Sequence, residues 1–169
     1  MKTPVTTHVD EVLRGNIAGV FEDYRSTTSP DISLLLSTYS LTDIVRRVVG
    51  VGSVGTNCFL VALSSEEGDG LVLQVKEAMT SVVQDYSSPN LTTPGTLGRQ
   101  DSPGKRVVDH QRILQAFSDP FLGFMSAQGR SYYVRQFQDS KGSFDLAAMN
   151  LNELDAYCRV CGAMLARAH

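Results

Sequence analysis

The chain has no excess of basic charge: 15 Lys plus Arg stand against 18 Asp plus Glu in 169 residues, for a formal net charge of −3. The cations are scattered rather than gathered into a stripe, which argues against a nucleic-acid partner. No apolar run reaches the ~18 residues needed to cross a bilayer, so no membrane partner is expected. Met1 to Arg14 alternates polar and apolar residues without the apolar stretch of a signal peptide. Cysteines number only 3, an odd count, and the expected location is a reducing cytoplasm. The sequence also lacks a nucleophile-elbow pattern, and His8 and His110 fall in helical stretches without an evident catalytic partner.

What is present is ordinary globular material, 42% hydrophobic and 20% charged, long enough for one well-buried core. Val9, Leu13, Ile17, Val20, Phe21 and Tyr24 recur at helical spacing, and Ser26 to Asp31 breaks that helix. Ile32 to Asp43 reads as a second, shorter helix. From Ile44 the character changes to strands: Ile44 to Gly50, Asn57 to Leu63 and Leu71 to Ala78, joined by tight turns as in an antiparallel meander. Ser87 to Gly104 is rich in Ser, Pro, Thr and Gly and reads as a mobile loop. Lys105 to Phe117 is an amphipathic helix with Val107, Val108, Ile113, Leu114 and Phe117 on one face. Phe121 to Ser126 and Tyr132 to Phe137 are two more strands around a turn at Gly129. Leu151, Leu154, Cys158, Cys161, Leu165 and Ala168 form the stripe of a closing helix.

Gly50, Gly52 and Gly55 spell a G-x-G-x-x-G pattern, which several unrelated folds and many plain turns share. A dinucleotide fingerprint needs a helix after the third glycine, and the run after Thr56 is strand-like. A glycine-rich hairpin turn folded over phosphates is the kinase arrangement, where backbone N–H groups approach phosphate oxygens without a Cβ in the way. A hairpin turn with no ligand is the plain alternative. Lys76 follows on the next strand, placed like the lysine of the kinase Val-Ala-Ile-Lys motif. Period-2 alternation sets Val72, Gln74, Lys76 and Ala78 on one face. A lysine facing inward needs a charge partner. In a kinase this is the nucleotide phosphates plus a helix glutamate. Asp109 is the expected helix acid, with Glu77 and Asp85 behind it. Backbone groups near Gln136 and Phe137 are placed to meet an adenine edge. The expected site is therefore Gly50, Gly52, Ser53, Gly55, Lys76, Asp109 and Gln136. Cys158 and Cys161 form a C-x-x-C, but with only Cys58 and His169 left as further ligands, core packing is the expected role.

Longer stretches carry a family resemblance. They are Asp43 to Thr56 (DIVRRVVGVGSVGT), Leu73 to Ala78 (LQVKEA), Arg106 to Arg112 (RVVDHQR), Gln115 to Gly123 (QAFSDPFLG), Tyr132 to Gln136 (YYVRQ) and the closing Leu165 to His169 (LARAH). On these the chain resembles the DUF2252 family, uncharacterised bacterial kinase-like proteins. The resemblance implies an α+β fold: a protein-kinase-like small lobe, with a five-stranded antiparallel sheet, a packed helix, and flanking N- and C-terminal helices. The expected divisions are an N-terminal helical segment 1–43, the small lobe 44–137 with the loop 87–104, and a hinge with the start of a helical lobe, 138–169. It implies ATP as nucleotide partner, with Mg. It also implies a fragment, since the family's catalytic-loop and metal-binding segments do not occur in this sequence. Phosphoryl transfer would belong to the intact protein. Two departures stand out, aspartate at 109 where relatives carry glutamate, and Gln74 where a kinase has alanine against adenine. The alternative expectation is a non-catalytic protein-interaction module with a relic nucleotide site, self-associating through an uncovered lobe face.

Overall fold

A computed structural model describes residues 6–9, 11–47, 55–82, 86, 102–138, 142 and 144–169, without the side chains of 8, 13, 14 and 18. The elements in order are β1 (Thr6–His8), α1 (Glu11–Gly19), α2 (Phe21–Ser26), α3 (Pro30–Ser37), β2 (Tyr39–Arg47), β3 (Cys58–Ser65) and β4 (Gly70–Ala78). They continue with α4 (Pro103–Leu114), β5 (Gly123–Ala127), β6 (Arg130–Gln136) and α5 (Leu151–Ala168). All strands join one antiparallel sheet of order β1-β2-β3-β4-β6-β5. Among the described residues the sheet has six strands, not five, because Thr6–His8 pairs with Val45–Arg47 on the outer edge of β2.

The expected helix over Ile32 to Asp43 also needs correction, since it ends at Ser37 and the chain is a strand from Tyr39. A β-bulge explains the misreading. Leu41 lies opposite Leu63 and Ile44 opposite Val61, with the register shifting between Leu41 and Asp43. The extra residue puts two apolar residues three apart on the same face, a spacing that imitates a helix.

One sheet face is apolar. Phe59, Val61 and Leu63 of β3, Leu71, Leu73 and Val75 of β4, and Tyr132 and Val134 of β6 pack with Ile17, Tyr24 and Leu36 from the N-terminal helices. The predicted stripe of the first helix is the one that packs, with Val9, Val20 and Phe21 at its margin. Tyr24 is sealed in, and its hydroxyl donates to the Phe121 carbonyl at 2.7 Å. Burial, helped by the Asp119 charge, raises its phenol well above the usual range.

α4 covers the opposite face. Ser102 caps it, accepting from the Lys105 N–H at 3.3 Å, and Pro103 opens its first turn. Of the expected apolar stripe only Val108 is buried, while Ile113, Leu114 and Phe117 are exposed, Phe117 at 93%. α4 seats through Gly104, whose N–H donates to Ser131 Oγ at 2.8 Å. A Cβ there would fall on the Tyr132 carbonyl oxygen and within 2.9 Å of Ser131 Oγ. β5 and β6 turn at Gln128 and Gly129, both at positive φ, as a tight two-residue hairpin requires. α5 starts on a capping box between Asn150 and Glu153 yet buries none of its residues. Cys158 is exposed and Cys161 half-buried, so the expected core role of this pair does not hold among the described residues. Among the described residues no helix is long and apolar enough to cross a membrane.

The Gly104 contact is testable: Gly104→Ala should cost about 1–3 kcal/mol by forcing α4 off the sheet. Urea denaturation of both proteins measures this, and equal stability would mean that α4 does not rest on Tyr132 as described.

Candidate functional site

β4 is buried against the core through Leu71, Leu73 and Val75, so alternation turns Gln74 and Lys76 to the other face. Register then determines their neighbours. Lys76 lies opposite Cys58 on β3 and Tyr133 on β6, and Gln74 lies opposite Leu60 and Arg135. Gln74 is 5% exposed, and both ends of its carboxamide are engaged. Oε1 accepts from Arg135 Nε and Nη2, each at 3.3 Å, and Nε2 donates to Cys58 Sγ at 3.8 Å. Arg47, at the end of β2, stacks its guanidinium 4.8 Å from the centroid of the Phe137 ring. Among the described residues, its Nε is the buried side-chain nitrogen that has no hydrogen-bond partner.

Arg47, Gln74, Lys76, Arg135 and Phe137 line a cavity of about 660 Å³ between the sheet and the segment that follows α4. Its cationic groups are Arg47, Lys76 and Arg135, and its carboxylate is Asp119. The three cations all act on Cys58. Burial pushes this thiol up, while Lys76, Arg47, the Gln74 bond and Arg135 pull it down without prevailing. Asp119 is itself committed to the backbone: Oδ2 accepts the Gln136 N–H at 2.7 Å and Oδ1 the Phe121 N–H at 2.9 Å. It thereby ties the turn after α4 to the end of β6.

Of the residues expected from sequence, Lys76 and Gln136 line this cavity. Asp109 does not line it, and its carboxylate meets Lys105 Nζ at 2.6 Å, one turn back on α4. From α4 the wall is supplied by Gln111 instead. Gly55 is present at positive φ, 86°. Gly50, Gly52 and Ser53 lie outside the described residues, as do Asp85 and most of the expected loop 87–104. Arg47, Arg135 and Asp119 were not singled out from sequence. The signal available for the two arginines was a cation at an alternating position inside a β-rich run, which is costly unless something pairs with it. Among the described residues, no three His, Cys, Asp or Glu side chains gather as a metal site.

The sheet end beside Lys76 is held by Glu77, which faces the other way. Its Oε2 accepts both the backbone N–H and the side-chain amide of Asn57 at 2.9 Å, and its Oε1 pairs with Arg130 at 2.6 Å. Burial pushes this carboxyl up, but the Asn57 and Arg130 contacts outweigh it and hold it below the usual carboxylate range. Its stabilisation is therefore full above the ordinary glutamate pKa of ~4.3 and is lost as pH falls through the lowered value. Glu77→Gln should lose about 1–2 kcal/mol at pH 7, because an amide cannot accept all these bonds. Urea midpoints at pH 7 and pH 3 provide the check. The gap between variant and parent should narrow in acid, and a pH-independent gap would contradict this account.

The cavity and its residues lie on a chain that a family model matches along residues 1–169, a family described as an uncharacterized protein conserved in bacteria, DUF2252. No curated protein and no solved structure matches. The match takes in every strand and helix that builds the cavity, and the chain belongs to the DUF2252 family.

Proposed function

We propose that this chain is the nucleotide-binding lobe of a kinase-like protein, holding the polyphosphate of a nucleoside triphosphate such as ATP through Lys76. The observation that carries the reading is Lys76 on an inner strand, lining a cavity with Arg47 and Arg135. Three cations against one carboxylate suit a polyanion, and a guanidinium nitrogen buried without a partner suits an anionic guest. The order of parts agrees with a kinase small lobe: glycine-rich segment, strand, lysine strand, helix over the sheet, two strands. In this reading the outermost β1 is an addition to the five-stranded lobe sheet.

Magnesium, when bound with the nucleotide, neutralises charge on the phosphates. At the cavity the described residues of this chain contribute three cations, several carboxamides and the Asp119 carboxylate. The lobe thus binds and orients the phosphates, and transfer belongs to the intact protein. Asp109 is held by Lys105, so any bearing it has on Lys76 depends on the α4 charge pair as a whole.

A second reading is a non-catalytic interaction module. The observation in its favour is α5, which buries nothing and exposes Leu151, Val160, Met164 and Leu165. This reading leaves any partner binding indifferent to Lys76.

A thermal-shift titration separates the two. With magnesium and either ATP or inorganic tripolyphosphate, the melting temperature should rise with concentration, corresponding to about 2.7 kcal/mol at a hundred times Kd. In Lys76→Met the rise should be lost while the unliganded melting temperature stays within a few degrees. Absence of any rise with both ligands in the parent protein would remove the nucleotide reading and leave the interaction module.

A further inference from the structure

On α5 the sequence pattern and the surroundings disagree. Leu151, Leu154, Cys158, Cys161, Leu165 and Ala168 recur at alternating three- and four-residue steps, the a/d stripe of a helix that packs on another helix. Yet α5 buries none of its residues. Leu151 is 85% exposed and Leu165 63%, Cys158 is exposed as well, and Leu154, Cys161 and Ala168 are only half-buried. The stripe is open along its length.

Its own symmetry says what covers it. Laid antiparallel on a second copy, the stripe sets Leu151 against Ala168, Leu154 against Leu165 and Cys158 against Cys161. Each of these contacts then occurs twice, as a two-fold axis requires. The same register brings Glu153 roughly level with Arg167 of the second copy, and Tyr157 with its Met164. Opposite charges and a sulfur–aromatic contact follow, and the two helix dipoles oppose each other. A parallel pair would align the dipoles and place like charges side by side.

The axis passes between Cys158 and Cys161, so the thiols of both copies gather at the centre. One chain supplies two of them, i and i+3 on one helix face, whereas a structural zinc site takes four ligands. Among the described residues no three candidate ligands gather within one chain. Two chains complete a four-cysteine set, and a tetrahedral site accommodates a two-fold axis. Sulfur donors alone select a thiophilic divalent cation of the zinc type over magnesium or calcium. The Tyr157 hydroxyl hydrogen-bonds the Cys161 sulfur, an outer contact of the kind that orients a metal ligand. Length points the same way. The 18 residues of α5 fall short of the about three to four heptads that sustain a coiled coil, so the pair needs a further bond at its middle.

We infer that two copies of this chain pair antiparallel through α5, and that Cys158 and Cys161 of both hold one zinc-type ion on the two-fold axis. This pairing depends on α5 alone, so nucleotide binding through Lys76 can fail without affecting it, and the reverse.

Sedimentation equilibrium of the chain under reducing conditions, with zinc and with EDTA, tests this. Zinc should bind at one ion per two chains. With free zinc at a hundred times its own Kd, the dimer dissociation constant should fall by about a hundredfold. Cys158→Ser and Cys161→Ser should each abolish the zinc effect while keeping the parent's melting temperature in EDTA, because α5 buries nothing. Leu165→Asp should weaken the zinc-bound dimer. A chain that stays monomeric with zinc overturns the inference, as does one zinc per single chain. A dimer indifferent to EDTA and to both serine variants overturns the metal site, and a zinc dimer untouched by Leu165→Asp overturns pairing through this stripe. Should a variant fail to fold, the zinc stoichiometry of the parent chain still decides.

Discussion

The cross-strand register of β4 is the constraint on which the rest of this structure depends. One face of the strand gives Leu71, Leu73 and Val75 to the core, and the other carries Gln74 and Lys76. A slip of a single residue would drive a lysine into the apolar layer and expose three large aliphatic side chains, so the register is strongly specified. Once it is set, Gln74 has to sit opposite Arg135, and Lys76 opposite Cys58 and Tyr133. The buried carboxamide is then satisfied by the arginine and the thiol. The polar face of the sheet is thus a consequence of how the apolar face packs.

Roofing that face requires a helix that approaches closely at one end and stands off at the other. Gly104 provides the close approach, with its N–H on Ser131 and no side chain to hold the helix away. Further along, α4 ends at Leu114, and the chain crosses to Asp119, which clips onto the last residue of β6. Between the close contact at Gly104 and this clip the cavity remains, lined by cations from β2, β4 and β6. Arg47 reaches it from β2 by stacking on Phe137, so two segments distant in sequence share one wall.

Most of this architecture can be read from the chain. The N-terminal stripe through Ile17 and Tyr24, the three strands of the meander, the β5–β6 hairpin around Gly129 and the final helix all follow from local periodicity and turn chemistry. Misreadings arose where local pattern and tertiary role differ. The bulge in β2 gave Leu41 and Ile44 a helix-like spacing, and a three-residue edge strand such as Thr6–His8 carries too short a pattern to announce itself. Ile113 and Leu114 of α4 share a face with Val108 in projection yet stay exposed, and Phe117, expected on the same stripe, lies beyond the end of the helix. For the same reason Asp109 found its partner on its own helix: an i, i+4 lysine is always within reach, whereas a sheet lysine must be brought there.

The sequence by itself determined the strand that carries Lys76, the face it takes, and the polar company of Gln74, because side-chain alternation is a local property of an extended chain. Even the inward cation was visible as a charge in an apolar run. Only the tertiary structure decided which cations share a cavity: Arg47, Lys76 and Arg135 come from β2, β4 and β6 of a sheet whose order, β1-β2-β3-β4-β6-β5, brings the last strand of the meander beside a strand formed much later in the chain. That order is chosen by burial summed over the whole sheet, and no window of sequence contains it. The same holds for the occupied backbone donors at Gln136 and Phe137, since a hydrogen bond between distant segments exists only after both have been placed.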